Sequence, residues 1–126
     1  FTNNNIYHSK NEKDVKICFD FKDKAIQLSS YSIKSYDTNK DNSGHLKSWV
    51  IEVSNDGENW TVVDDHNDDP SLNGPNITKN FQVKKQLNNF YQFVQLRSTG
   101  YNWCSSINYY YIYFYFIDFF GKLKTQ

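Results

Sequence analysis

The 126-residue chain has no methionine, a single arginine (Arg97), two prolines, two cysteines and only five glycines. Each scarcity narrows the reading. Without methionine, residue 1 is not a native start, and the chain reads as an excised or processed piece of a longer protein. Lysine and arginine total 14 and aspartate and glutamate total 14, so the net charge is zero and no global field favours a polyanion. Arginine is the side chain that grips base edges and phosphates with a planar fork, and its scarcity argues against a nucleic-acid partner. The glycines are scattered singly, so no phosphate-cradling loop can be drawn. No apolar run is long enough for a membrane-spanning helix, and the longest stretch, 109–120, is interrupted by Asp118. Cys18 falls in a strand pattern and Cys104 in a loop. They read as reduced thiols of an intracellular protein, cytoplasmic or cytoskeletal; in an oxidising compartment a disulfide would be the alternative.

What the chain does have is aromatic mass: ten Phe, ten Tyr and three Trp. Asn, Lys and Ile are also plentiful, a pattern that codon usage in an AT-rich genome favours, so the aromatics alone do not announce a ligand surface. No helical period stands out, whereas period-two alternation recurs. Trp49, Ile51 and Val53 alternate with Val50, Glu52 and Ser54, which predicts a strand with one buried face. Asn55-Asp56-Gly57 follows as a tight hairpin turn, and Trp60 opens the next strand, to Asp64. Further strands are expected at 16–21, with Ile17, Phe19 and Phe21 on one face, at 26–36, with Tyr31 and Ile33 in phase, and at 77–83. Two more fall at 90–98, with Val94 and Leu96 inward and Gln95 and Arg97 outward, and at 109–120, read as buried on both faces or bulged. Residues 37–44 and 64–75 read as polar loops. Short strands at even intervals predict one all-β domain, an antiparallel sandwich.

Several of these segments match a known pattern in the right order. Ile17-Cys18-Phe19-Asp20-Phe21-Lys22, Tyr31-Ser32-Ile33-Lys34-Ser35-Tyr36 and His45-Leu46-Lys47-Ser48-Trp49-Val50-Ile51-Glu52 are three of them. Leu96-Arg97-Ser98-Thr99-Gly100-Tyr101-Asn102-Trp103 and Ile117-Asp118-Phe119-Phe120-Gly121 complete the set, with Lys16 where a Trp is usual and Asp118 where a Glu is usual. Together with the Asn-Asp-Gly hairpin they resemble discoidin domains (coagulation factor V/VIII type C), in particular the intracellular subgroup found beside BTB domains. The resemblance implies a galactose-binding-like jelly-roll β-sandwich, here lacking its first strand, and a binding module that is not an enzyme and needs no cofactor. It further implies that ligands are met by loops at one end. A protein partner, or a neighbouring domain of a larger assembly, is the expected ligand; a glycan is the alternative and a phospholipid the third.

The candidate ligand residues are Tyr36, His45, Arg97, Tyr101, Asn102 and Trp103. Tyr101 and Trp103 offer flat faces with a polar edge, as a sugar ring requires, and Asn102 can both donate and accept. Against this, Trp103 can cap the end of the sandwich, Asn102 can pin its loop and Arg97 can pair with Glu52. Asp37, Asn39 and Asp41 begin like a calcium loop, but Asn42 stands where Gly is needed and Ser48 where the bidentate Glu is needed. The run Asp64-Asp65-His66-Asn67-Asp68-Asp69 reads as a solvated acidic loop rather than a metal site. No nucleophile–base set stands out.

Overall fold

The structure, a computed structural model, describes residues 7–40, 44–105 and 107–126. Their strands are β1 (Tyr7–His8), β2 (Lys16–Asp20), β3 (Lys24–Lys34), β4 (Trp49–Ser54), β5 (Thr61–His66), β6 (Thr78–Gln82), β7 (Phe93–Ser98), β8 (Tyr113–Phe114) and β9 (Phe116–Thr125). A 3-10 turn, Pro70–Leu72, is the one helical element among the described residues, and none there is long and apolar enough to cross a membrane. All pairings are antiparallel. One sheet has the order β2-β7-β4-β5, the other β6-β3-β9, and β1 pairs with β8 as a short ribbon. The chain is an antiparallel β-sandwich.

The alternation in the sequence explains which side chains meet. Trp49, Ile51, Val53, Val94 and Leu96 come from the four-stranded sheet, and Tyr31, Ile33, Phe81, Ile117 and Phe119 from the three-stranded one; all lie in a single buried cluster. Fully burying each such side chain contributes about 1.5–3 kcal/mol. Rings lock the layers together: Phe19 meets Phe119 edge-on at 5.1 Å and Trp49 meets Phe81 edge-on at 5.3 Å, while Tyr31 stacks on Phe81 at 5.2 Å within the three-stranded sheet.

Four expectations need correction. First, β4 is buried on both faces, not one: Val50, Glu52 and Ser54 are covered as well. It lies between β5 and β7, and on its outer side Glu52 accepts hydrogen bonds from Arg97 Nε (2.6 Å) and Gln95 Nε2 (3.4 Å). Second, the β4–β5 connection is not a tight turn but a longer loop, 55–60. Asp56 Oδ1 gathers the N–H groups of Glu58 and Asn59 at 2.8 and 2.7 Å, and only Gly57 there takes positive φ, at 74°. These bonds hold the Asp56 carboxyl well below its ordinary range.

Third, the stretch 64–69 is not a solvated loop throughout. Asp64, Asp65 and His66 finish β5, and Asp64 is 1% exposed. Its carboxylate accepts from Tyr31 Oη at 2.5 Å, from His66 Nε2 at 2.9 Å and from the Lys84 N–H at 3.3 Å, while Trp49 Nε1 donates to Tyr31 Oη at 2.9 Å. His66 stacks on Trp49 at 4.3 Å and donates from Nδ1 to Asp69 Oδ2 at 2.7 Å. With carboxylates on both ring nitrogens the imidazole is a cation. Burial opposes that charge, but the two carboxylates prevail and raise the His66 pKa; against the opposing effect of burial, Asp64 is lowered by His66 and Tyr31, and Asp69 by the hydroxyl and N–H of Ser71 and then by His66. Fourth, 109–120 is not one strand buried on both faces: it divides into β8 and β9 at Tyr115, and its odd-numbered tyrosines are only half-buried.

Two bulges prepare the surface. At Leu28/Ser30 on β3 the register against β9 shifts at Ser29, and at Ile51/Glu52 the register between β4 and β5 shifts at Val63. Both bulged carbonyls point to one segment: Ser29 O accepts from the Val83 N–H and Val63 O from the Lys85 N–H, each at 3.0 Å. With the Lys84 N–H on Asp64, residues 83–85 form a strap fastened to both layers.

Candidate functional site

The sequence candidates scatter. Arg97 lies on the outer face of the four-stranded sheet, where Glu52 and Asp14 (3.3 Å from Nη1) hold it, Glu52 chiefly raising its pKa. His45 is 0% exposed; Nε2 meets Thr38 O at 3.0 Å, Nδ1 has no hydrogen-bond partner among the described residues, and no surface is left for a ligand. Asn102 is 5% exposed and pins its loop: Nδ2 donates to Tyr111 O (3.1 Å) and Oδ1 accepts from the Cys104 N–H (3.0 Å). Trp103 folds back onto the sandwich end, with Nε1 donating to Asp69 O (3.1 Å) and Lys47 Nζ 4.6 Å from its ring centroid. Tyr101 is exposed but packs on Tyr110, at 4.7 Å, away from the others. Of the six candidates, Tyr36 stands in a larger surface assembly.

That assembly is a row of tyrosines. Along 109–115 the even positions Ile112 and Phe114 turn into the core, which turns Tyr109, Tyr111, Tyr113 and Tyr115 the other way. Tyr109 and Tyr111 are 5.1 Å apart, Tyr111 and Tyr113 6.3 Å, Tyr113 and Tyr36 4.5 Å, and Tyr36 and Tyr115 5.0 Å. All five are half-buried, so each ring is wedged by neighbours yet keeps part of itself in solvent. Burial, then the hydroxyl of Tyr36, pushes the Tyr113 phenol up to about 12. The Tyr113 phenol therefore stays neutral throughout the physiological range. Exposed Asp37 and Asn76 flank it, joined by Asn76 Nδ2 donating to Asp37 Oδ1 at 2.7 Å, and Lys34 Nζ stands 5.4 Å from the Tyr115 ring centroid. The signal for this row was in the sequence as Tyr alternating with Ile and Phe, but the run was read as uniformly apolar.

Gly44 backs the second ring of the row, Tyr111. Its φ is +73°, and an added Cβ would lie 2.4 Å from Tyr111 Oη and 2.6 Å from its ring. Gly44→Ala is expected to cost about 1–2 kcal/mol of stability from the left-handed backbone alone, read as a shift of the urea midpoint, and to displace Tyr111 from the row. The calcium-loop residues Asp41 and Asn42 lie outside the described residues. Among the described residues no three metal-ligating side chains converge, and both nitrogens of His66 are engaged by carboxylates. Cys18 is an exposed thiol and Cys104 is half-buried; they are not joined.

No family model matches the chain. It is similar in structure to CBM32-3 from a family 31 glycoside hydrolase of Clostridium perfringens. The two are 23% identical, with 94% of this chain and 76% of that one covered, at a TM-score of 0.66. It is also similar to the C-terminal domain of a chitobiase from Bacteroides fragilis, at 14% identity, 95% and 74% coverage and a TM-score of 0.66. A fragment of a putative chitobiase from Bacteroides thetaiotaomicron matches at 14% identity over 87% of this chain and 63% of that one, with a TM-score of 0.54. At these identities the likeness shows the fold, a galactose-binding-like sandwich. It gives no support to the BTB-associated branch of the discoidin resemblance.

Proposed function

We propose that this domain is a non-catalytic module that binds carbohydrate, with the row Tyr36, Tyr109, Tyr111, Tyr113 and Tyr115 as its contact surface. The observation that carries the reading is the row itself: five half-exposed rings held in fixed order, four on the chain that leads into β9 and Tyr36 just past the end of β3, bordered by the Asp37–Asn76 pair. A pyranose has apolar C–H faces and a hydroxyl rim. Wedged phenol rings offer apolar area at little entropic cost, and their hydroxyls, with Asp37 and Asn76, offer partners for the rim. The neighbours' fold supports the same reading, since CBM32-3 is a carbohydrate-binding module borne on a glycoside hydrolase. By the same analogy the domain serves a larger chain. Docking of a protein partner, first expected from the resemblance, draws no support from those neighbours and gives way to the glycan.

A glycan array followed by titration calorimetry tests this. Tyr113→Ala is expected to weaken binding of the best array ligand about tenfold or more, which is about 1.4 kcal/mol, with thermal unfolding still cooperative. Tyr113→Phe keeps the ring and is expected to lose less. An array without binders, or a Tyr113→Ala variant with unchanged affinity, would overturn the proposal.

A further inference from the structure

We propose a second ligand site, for a carboxylate-bearing saccharide, in the hollow between the strap and the β3 bulge. It stands on residues separate from the tyrosine row and shares with that reading only the class of ligand. The hollow has a volume of about 570 Å³, within the range typical of small-molecule sites. One wall is residues 82–88, the other the bulged part of β3, and Gly121 of β9 lies between them.

Its chemistry is one-sided. Lys85 and Lys122 line it, and no aspartate or glutamate does, although the chain as a whole has no net charge. Like most lysines of the chain, neither makes an ion pair among the described residues, so both remain available to an anionic ligand. Gln82, Gln86 and Asn88 line the same hollow with carboxamides that can donate and accept, as sugar hydroxyls require, Gln82 Nε2 also donating to Asn80 Oδ1 at 3.0 Å. Of the apolar lining, Leu28 and Leu87 are buried, and half-buried Val83 supplies the apolar contact for a C–H face. No aromatic ring lines the hollow, which disfavours stacking of a nucleobase. Two lysines with no ion pair among the described residues, set beside neutral amides, select a ligand that is mostly hydroxyl and carries a carboxylate.

The walls are held before any ligand arrives. The strap is fixed at Ser29 O, Asp64 Oδ1 and Val63 O, and Gln27 Nε2 donates to Leu87 O at 2.9 Å, closing the far end. A preformed hollow avoids the ordering cost that a floppy loop would incur on binding.

The test is an NMR titration of the isotope-labelled domain with a galacturonic acid trisaccharide, its neutral galactose counterpart and sodium sulfate. The acidic trisaccharide is expected to shift the amides of 27–29, 83–88 and 121–122 and to bind more weakly as salt is raised. The neutral sugar is expected to leave those amides unmoved. Lys85→Gln with Lys122→Gln, both at exposed positions, should lower affinity for the acidic sugar at least tenfold while leaving a ligand of the tyrosine row unaffected. Absence of shifts at millimolar trisaccharide, shifts confined to residues 109–115, or undiminished binding by the double variant would overturn the site. Equal shifts with sulfate would overturn its saccharide character. Failure of the tyrosine-row reading would register on different amides, so the two outcomes are separable.

Discussion

Asp64→Ala is expected to destabilise the domain by about 3–5 kcal/mol, the cost of removing one member of a buried, hydrogen-bonded charge pair. Three donors converge on this carboxylate: Tyr31 Oη, His66 Nε2 and the Lys84 N–H. Removing it leaves a phenol and an imidazolium without their acceptor inside the sandwich, and it unfastens the middle of the strap. The neighbouring Asp65 is the control. Its ion pair with Lys84, at 3.0 Å, is exposed on both sides, so Asp65→Ala should cost no more than about 1 kcal/mol. Urea unfolding of both variants at several pH values decides the matter. In the native protein the carboxyl of Asp64 is lowered, so its contribution is present above the unfolded value near 3.9 and fades as pH falls through its folded pKa. His66 is raised, so its contribution is complete below the unfolded value near 6.5 and is lost as pH rises through its folded pKa. The gap between native protein and Asp64→Ala should therefore be widest between about pH 4 and 6.5 and narrow on either side. A gap that does not vary with pH would show that the group acts by shape alone.

The second large effect falls on Gly121. A Cβ there would sit 2.1 Å from the carbonyl oxygen of Gln27 and 3.1 Å from Leu28 Cα, so the obstacle is backbone on the partner strand and not a movable side chain. β3 and β9 approach this closely just before the Ser29 bulge, and a methyl group would have to push the strands apart across a central pairing. Gly121→Ala should cost about 3 kcal/mol, the upper end for an overpacked position. Hydrogen exchange should localise the damage to 24–28 and 121–125. Native-like stability of Gly121→Ala would mean that the strands separate more easily than this geometry implies.

Much of the layering was legible in the sequence because alternation speaks directly to faces: Tyr31 with Ile33, Trp49 with Ile51 and Val94 with Leu96 all turn inward as their spacing requires. What alternation cannot express is how many neighbours a strand has. β4 lies between β5 and β7, so its polar positions are covered too, and Glu52 survives there only by pairing with Arg97. Residue type misled where a polar group was spent internally. His45 and Asn102 look like surface chemistry in the sequence but answer backbone carbonyls inside the loops. Tyrosine misleads in the opposite sense: counted as apolar, the residues at 109, 111, 113 and 115 merge with Ile112 and Phe114, although the alternation over 111–115 separates them. The strap was invisible altogether, since it depends on two bulges far apart in the chain facing one segment.

The strap also bears on self-association. β5 is the last strand of its sheet, and an outermost strand with a free carbonyl is a template onto which another chain can hydrogen-bond and extend the sheet. Here Val63 O is already occupied by the Lys85 N–H, and the strap passes along the border where an incoming strand would have to lie. One border of the sandwich is thereby closed to sheet-to-sheet polymerisation.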